Sequence, residues 1–398
     1  MMLLSTSCAD STSVEKQFKK CLLTQLDENS ESIEKIIFTS SSSLYPQVLD
    51  SLEQNPRWVN SSWKPLFILT PFHESEIQAT IQCSKEHGLQ LRVRSGGHDY
   101  EGLSYLSKVP FVMVDLINIR SIEINLDDET AWVQAGASLG ELYYKISKDL
   151  FIRIVAQNSG DKSKTFQATF NSLFLGGIDK LIPLMNENFP ELGLQAKDCS
   201  EMSWIRSVMS FAGYNKGDPL ELLLNRTTMF KSSFKAKSDF VKDPIPKSGL
   251  EGAWKMILEE ETLALMILEP YGGRMNEISE SEIPFPHRKG NLYNIQYLVR
   301  WEENNIEESK RHLDWAKMIY RYMTPYVTKS PRAAYFNYKD LDLGKNKHEN
   351  TSYSKASVWG VKYFKGNFRK LAQIKTKFDP QNFFNNEQSI PLQNSRHY

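Results

Sequence analysis

The chain has 398 residues, 40% of them hydrophobic, with 48 basic and 48 acidic side chains. At about 100–200 residues per domain, that allows two or three domains and a sizeable buried core. A formal net charge of zero and scattered basic residues argue against nucleic acid or an anionic membrane as partner, and no apolar run approaches the ~20 residues of a membrane span.

Residues 1–10, beginning Met1-Met2-Leu3-Leu4, read as a residual signal-peptide-like segment, too short for a full apolar region. Either secretion is lost or the true start lies upstream. Residues 11–57 are polar and partly helical. Pro65–Thr70 reads as a buried strand, His73–Glu86 as a helix stopped by Gly88, and Leu89–Arg94 as a strand with Leu89, Leu91 and Val93 on one face. Phe111–Leu116 is a further strand. Ser121–Asn125 and Ala131–Gln134 flank a turn and form a hairpin. Ser138-Leu139-Gly140-Glu141 is a capping-box pattern that opens a helix to Lys148. Leu150–Ala156 is a strand. In Asn291–Trp301, Tyr293, Ile295, Tyr297, Val299 and Trp301 share one face, and Asn294, Gln296, Leu298 and Arg300 share the other. Residues 306–323 form an amphipathic helix ended by Thr324-Pro325. Tyr335–Gly344 reads as a strand with an acidic turn, followed by a helix near Val361–Phe378 and a polar tail.

Three segments carry candidate chemistry. In Arg94-Ser95-Gly96-Gly97-His98, glycines after a strand let backbone N–H groups converge on an anion, and the arginine adds charge-assisted bonds. A plain Gly-Gly turn with a solvated histidine fits the same residues. The glycine spacings match neither a Walker loop nor a dinucleotide fingerprint. Tyr338, in Tyr335-Phe336-Asn337-Tyr338, reads from the residues alone as a packing residue of a strand. The polar face with Asn294 and Gln296 reads from the residues alone as that of a half-solvated strand. The four cysteines form no CxxC pair, so no metal is expected. Sequons at Asn60, Asn225 and Asn350 point to a secreted glycoprotein.

Taken together, Arg94-Ser95-Gly96-Gly97-His98-Asp99-Tyr100-Glu101-Gly102, Asn337-Tyr338-Lys339-Asp340-Leu341-Asp342-Leu343-Gly344 and the ending Asp379–Pro391 resemble the berberine bridge enzyme-like family of plant flavoproteins. The resemblance implies an α+β fold, with a PCMH-type FAD-binding domain from residues 11–148 and 331–398. A substrate domain at 149–330 would be an antiparallel sheet backed by helices. It implies FAD bonded covalently to His98, with Arg94, Ser95, Gly96 and Gly97 cradling the pyrophosphate and Asn337 beside the flavin. Tyr338 would be the substrate-facing base, with Gln296 and Asn294 as site residues. Other members carry glutamate or lysine where this chain has Asn294. Cys21 and Cys83 match the family's disulfide, and Cys199 is then a free or buried thiol.

The chain departs from the family after Lys148-Asp149-Leu150, where most of the second flavin subdomain is missing. No cysteine lies between Cys83 and Cys199, so a second, cysteinyl flavin attachment is excluded. The expected activity is oxidation of a small plant metabolite or carbohydrate by hydride transfer to flavin. Oxygen or another electron acceptor would be its partner, and the location is extracellular or the cell wall. The competing expectation is an inactive truncated form that acts at most as a binding glycoprotein.

Overall fold

The computed structural model describes residues 11–27, 30–51, 55, 61–125, 130–137, 150–159, 165–224, 232–302, 305–346 and 351–393. The signal-like segment, the helix expected at 138–148 and the three sequon asparagines lie outside the described residues.

Near the N-terminus, β1 (Ile37–Thr39), β2 (Phe67–Leu69), β3 (Gln90–Arg94) and β4 (Phe111–Asp115) form a sheet in the order β1-β2-β4-β3. β1 is antiparallel to β2, and β4 runs parallel to both β2 and β3. β2 and β4 are buried along their whole length, as continuous apolar runs in a parallel sheet should be. Helix Glu74–Glu86 links β2 to β3. Glu76 reaches back to the backbone N–H groups of Phe72 and His73 at its start, and Gly88 (φ 63°) follows its end. A disulfide joins Cys21, in helix Ser11–Leu26, to Cys83, so the pairing implied by the resemblance is present. Cys199 is a half-buried free thiol. Leu89 and Leu91 are buried as expected, but Val93, also on the edge strand β3, is 46% exposed. The hairpin of β5 (Ile122–Asn125) and β6 (Thr130–Val133) forms as expected, with Trp132 81% exposed.

A second sheet is wholly antiparallel, in the order β8-β7-β10-β11-β9. Its strands are β7 (Leu150–Asn158), β8 (Phe166–Phe174), β9 (Ser233–Val241), β10 (Ala264–Pro270) and β11 (Tyr293–Trp301). Ile295, Tyr297, Val299 and Trp301 point into a core with Ala253 and Ile257 of helix Lys247–Glu259 and with Trp315 and Ile319 of helix Ile306–Tyr322. The opposite face of β11 is not half-solvated. Asn294, Gln296 and Leu298 are all buried there, and Tyr100 and Phe234 pack around Leu298.

Two expectations need correction. Residues 335–344 are turns and one short 3-10 helix, Leu341–Leu343. No strand forms here because Asp340 and Asp342 are drawn onto β9 by its lysines. The single helix near Val361–Phe378 is two helices, Tyr353–Phe364 and Asn367–Phe378, broken at Lys365 (φ 45°). The chain end returns to the first sheet. Phe383 packs against Leu91 and Val114, and Asn385 bonds to Gln90 and Arg92.

Candidate active site

The loop after β3 is anchored from below. Arg94 Nη2 lies 2.7 Å from Asp115 Oδ2, with both side chains buried. The same guanidinium donates to the carbonyls of Leu49 and Val48 at 2.8 and 2.6 Å. This corrects the expected role of its side chain: the guanidinium braces the loop from inside, and any cradle contact at Arg94 falls to its main chain. Removing one partner of such a buried pair costs about 3–5 kcal/mol. The Ser95 hydroxyl donates to the Ala135 carbonyl, tying the loop to the end of the hairpin. Gly97 has φ 68°, a conformation that favours glycine. A Cβ on Gly96 would stand 2.5 Å from the ring of His98. His98 itself is exposed.

Two residues on, Tyr100 turns back toward the second sheet. Its ring stacks on Tyr338 with centroids 5.7 Å apart and planes at 10°, and Gln296 Nε2 donates to its hydroxyl at 2.7 Å. Tyr338 meets Tyr335 edge-on at 5.0 Å, and Asn337, which is exposed, donates to the Tyr335 hydroxyl at 3.0 Å. The fold therefore brings Tyr338 and Gln296 together through Tyr100, on the strand that also holds Asn294. Asn294 is 1% exposed. Neither its amide nitrogen nor its oxygen has a hydrogen-bond partner among the described residues. Buried polar groups are normally bonded, so this amide stands out as an unmet donor and acceptor.

The electrostatics centre on groups that sequence reasoning missed. Burial pushes the Tyr338 hydroxyl above the ordinary phenol range. Glu269 and the neighbouring tyrosines push the same way, and Arg153 opposes them. Arg153 Nη2 and Glu269 Oε1 form an ion pair of 2.5 Å between β7 and β10, and Glu269 sits opposite Asn294 in the β10–β11 register. The available signal was the one cation inside the apolar run Leu150-Phe151-Ile152-Arg153-Ile154-Val155. Burial also raises Tyr100, with the Gln296 hydrogen bond opposing.

A second group holds the two halves together. Lys235 of β9 contacts Glu101 of the loop and lies 2.9 Å from Asp340. Lys237 lies 2.5 Å from Asp340 and 2.9 Å from Asp342. Both lysines and Asp340 are buried. Asn55 adds a bridge, donating to the carbonyls of Tyr100 and Phe234.

The exposed His98 imidazole, the adjoining glycines and the unbonded Asn294 amide fit the flavin and substrate that the resemblance implies. A family model described as "Berberine and berberine like" matches residues 334–391, and one described as "FAD binding domain" matches residues 65–161. Berberine bridge enzyme-like 22 of Arabidopsis thaliana is 40% identical over 518 aligned positions, covering 98% of this chain and 97% of that protein. Tetrahydroberberine oxidase of Berberis wilsoniae is 38% identical over 516 positions, covering 98% and 96%. Both alignments run to more positions than the 398 residues of this chain can fill. The solved structure of the Arabidopsis thaliana family member numbered 28 superposes with a TM-score of 0.84 at 35% identity, covering 95% of this chain and 100% of that one. On this agreement of loop, site and relatives, the chain belongs to the berberine bridge enzyme-like family of FAD-linked oxidoreductases.

Proposed function

We propose that this protein is a secreted FAD-dependent oxidoreductase that oxidises a small plant metabolite or carbohydrate, with the flavin held covalently on His98 alone. The observation that carries this reading is the convergence of the His98 loop, through Tyr100, on Tyr338 and Gln296, beside an Asn294 amide that has no hydrogen-bond partner among the described residues. Gly96, Gly97 and the main chain at Arg94 and Ser95 would hold the cofactor's pyrophosphate, with Asn337 near its ring. FAD, when bound, supplies the hydride acceptor, and oxygen or another acceptor reoxidises it. The chain's own residues position the substrate and move its proton. Tyr338 takes the proton from a substrate hydroxyl or amine. Asn294 bonds the substrate's polar group. Gln296 fixes Tyr100, whose ring supports Tyr338.

Residues 11–148 and 331–398 would form the cofactor half and 149–330 the substrate half. The excess of aligned positions over residues supports an internal loss of most of the second flavin subdomain, following residue 148. A second reading, an inactive glycoprotein remnant, is favoured by the apolar side chains left in solvent at Val93, Trp132 and Val133.

Absorption of protein folded with FAD, before and after acid precipitation, separates the readings. Yellow colour kept in the pellet, and released to the supernatant by His98→Ala, is expected. Colourless protein would leave the remnant reading. Colour that His98→Ala still keeps in the pellet would place the attachment elsewhere.

A further inference from the structure

Away from the tyrosine cluster, a cavity of about 620 Å³ opens between helices Tyr353–Phe364 and Asn367–Phe378 and the segment that leads into Tyr335. Among the described residues its charged lining is basic: Lys242, Lys329, Lys365 and Arg369, with the buried His287. In a chain with equal numbers of acids and bases, this gathering of cations gives the cavity a positive local field, which Glu280 offsets only at Lys365. Lys242, Lys329 and Arg369 form no ion pair among the described residues. Lys365 is held by Glu280 at 2.5 Å.

Two further observations mark the cavity as built. Burial, aided by the Lys365 charge, lowers the His287 imidazole to about 3, so the ring is neutral at ordinary pH. Its Nε2 lies 2.9 Å from the Tyr363 carbonyl oxygen and donates to it. Nδ1 is then an acceptor, and it has no hydrogen bond among the described residues. In addition, Ser330 (φ 58°) and Lys365 (φ 45°), both lining the cavity, are non-glycine residues in the left-handed region. Such conformations cost about 1–3 kcal/mol and gather at ligand sites.

We propose that this cavity binds a small hydroxylated anion, its carboxylate or phosphate met by Lys329, Lys365 and Arg369 while one of its hydroxyls donates to His287 Nδ1. A phosphate monoester and a hydroxy acid share that chemistry. The cavity is separate from the site around Tyr338. His287 stacks on Phe240 at 4.2 Å, and Phe285 stands between His287 and Tyr335 at 5.5 and 5.8 Å.

The test is calorimetric titration of the full chain with glucose 6-phosphate, gluconate, glucose and inorganic phosphate. Saturable binding of glucose 6-phosphate, of gluconate or of both is expected, and which of them binds distinguishes the two anion classes. Glucose should give no signal, and inorganic phosphate should bind more weakly than the better ligand. Lys329 and Arg369 are exposed, so Lys329→Glu with Arg369→Glu should leave the fold intact and weaken binding by about tenfold or more. Absence of saturable binding by both organic anions would overturn the proposal. So would equal binding of inorganic phosphate or glucose, or indifference to the charge reversal.

Discussion

Burial raises the Tyr338 hydroxyl, and the Arg153–Glu269 pair acts on it with opposite signs. A raised phenol is protonated at neutral pH, so a rate that needs the phenolate climbs with pH and reaches no plateau below the ordinary phenol range. Glu269→Gln removes the charge that raises Tyr338 and releases Arg153, so the basic limb of the pH–rate profile should move down. Arg153→Gln should move it up. Opposite or absent shifts would remove the pair from the proton's path. Tyr338→Phe should lower turnover by about 10²–10⁴-fold while colour is retained, read by comparing turnover with flavin absorbance. At this scale, the turn that exposes His98 was legible, because two glycines after a strand need only local backbone; the histidine's role came from the resemblance alone. Arg94 was not, since nothing local tells which way a guanidinium points. Asp115 and two carbonyls from a distant segment turn it inward.

The segment 335–344 is held as an element by Lys235 and Lys237 of β9. Burial alone would push the Asp342 carboxyl up, but the two lysines outweigh it and hold it at about 2. A carboxyl depressed in the folded state stabilises the fold above its unfolded value, near 3.9, and that contribution fades as pH falls toward the folded value. The melting temperature should therefore fall between about pH 4 and 2, and Asp342→Asn should flatten that fall. An unchanged slope would show that the clamp does not control acid stability. Asp340→Ala leaves two buried lysines short of a partner and should cost about 3–5 kcal/mol in denaturant unfolding, against less than about 1 kcal/mol for an exposed pair such as Lys317–Asp314. The strand expected here failed for a reason visible only in the fold: its alternating acids answer to lysines about 105 residues away.

Across the whole molecule, the first sheet and the hairpin that follows it leave several apolar side chains uncovered. Val93 on its edge strand, with Trp132 and Val133 in the neighbouring hairpin, are 46%, 81% and 40% exposed. A large ring in water beside other apolar groups attracts dyes and other chains. Trp132→Ser should lower binding of an apolar fluorescent dye and raise the concentration at which heated protein aggregates. Unchanged dye fluorescence would mean that the hairpin does not form the sticky surface. In the second sheet, helices Lys247–Glu259 and Ile306–Tyr322 cover one face and Tyr100 packs on the other around Leu298, but the edge strand β8 leaves Phe170 44% exposed.

Local pattern was enough for the strands Phe67–Leu69, Gln90–Arg94 and Tyr293–Trp301, for helix Glu74–Glu86 and for the turn at Gly96-Gly97, whereas the role of His98 was implied only by the resemblance. Periodicity and turn chemistry act within a few residues, where the sequence is the structure's near neighbourhood. The meeting of Tyr100, Gln296 and Tyr338 was not accessible in that way. It depends on residues from three distant segments, and on ion pairs whose partners no spacing rule connects. Long-range burial selects those partners, since a charge withdrawn from water must find its opposite wherever the chain brings one. Lys235 finds Glu101 and Asp340, and that closure sets Tyr338 against Tyr100.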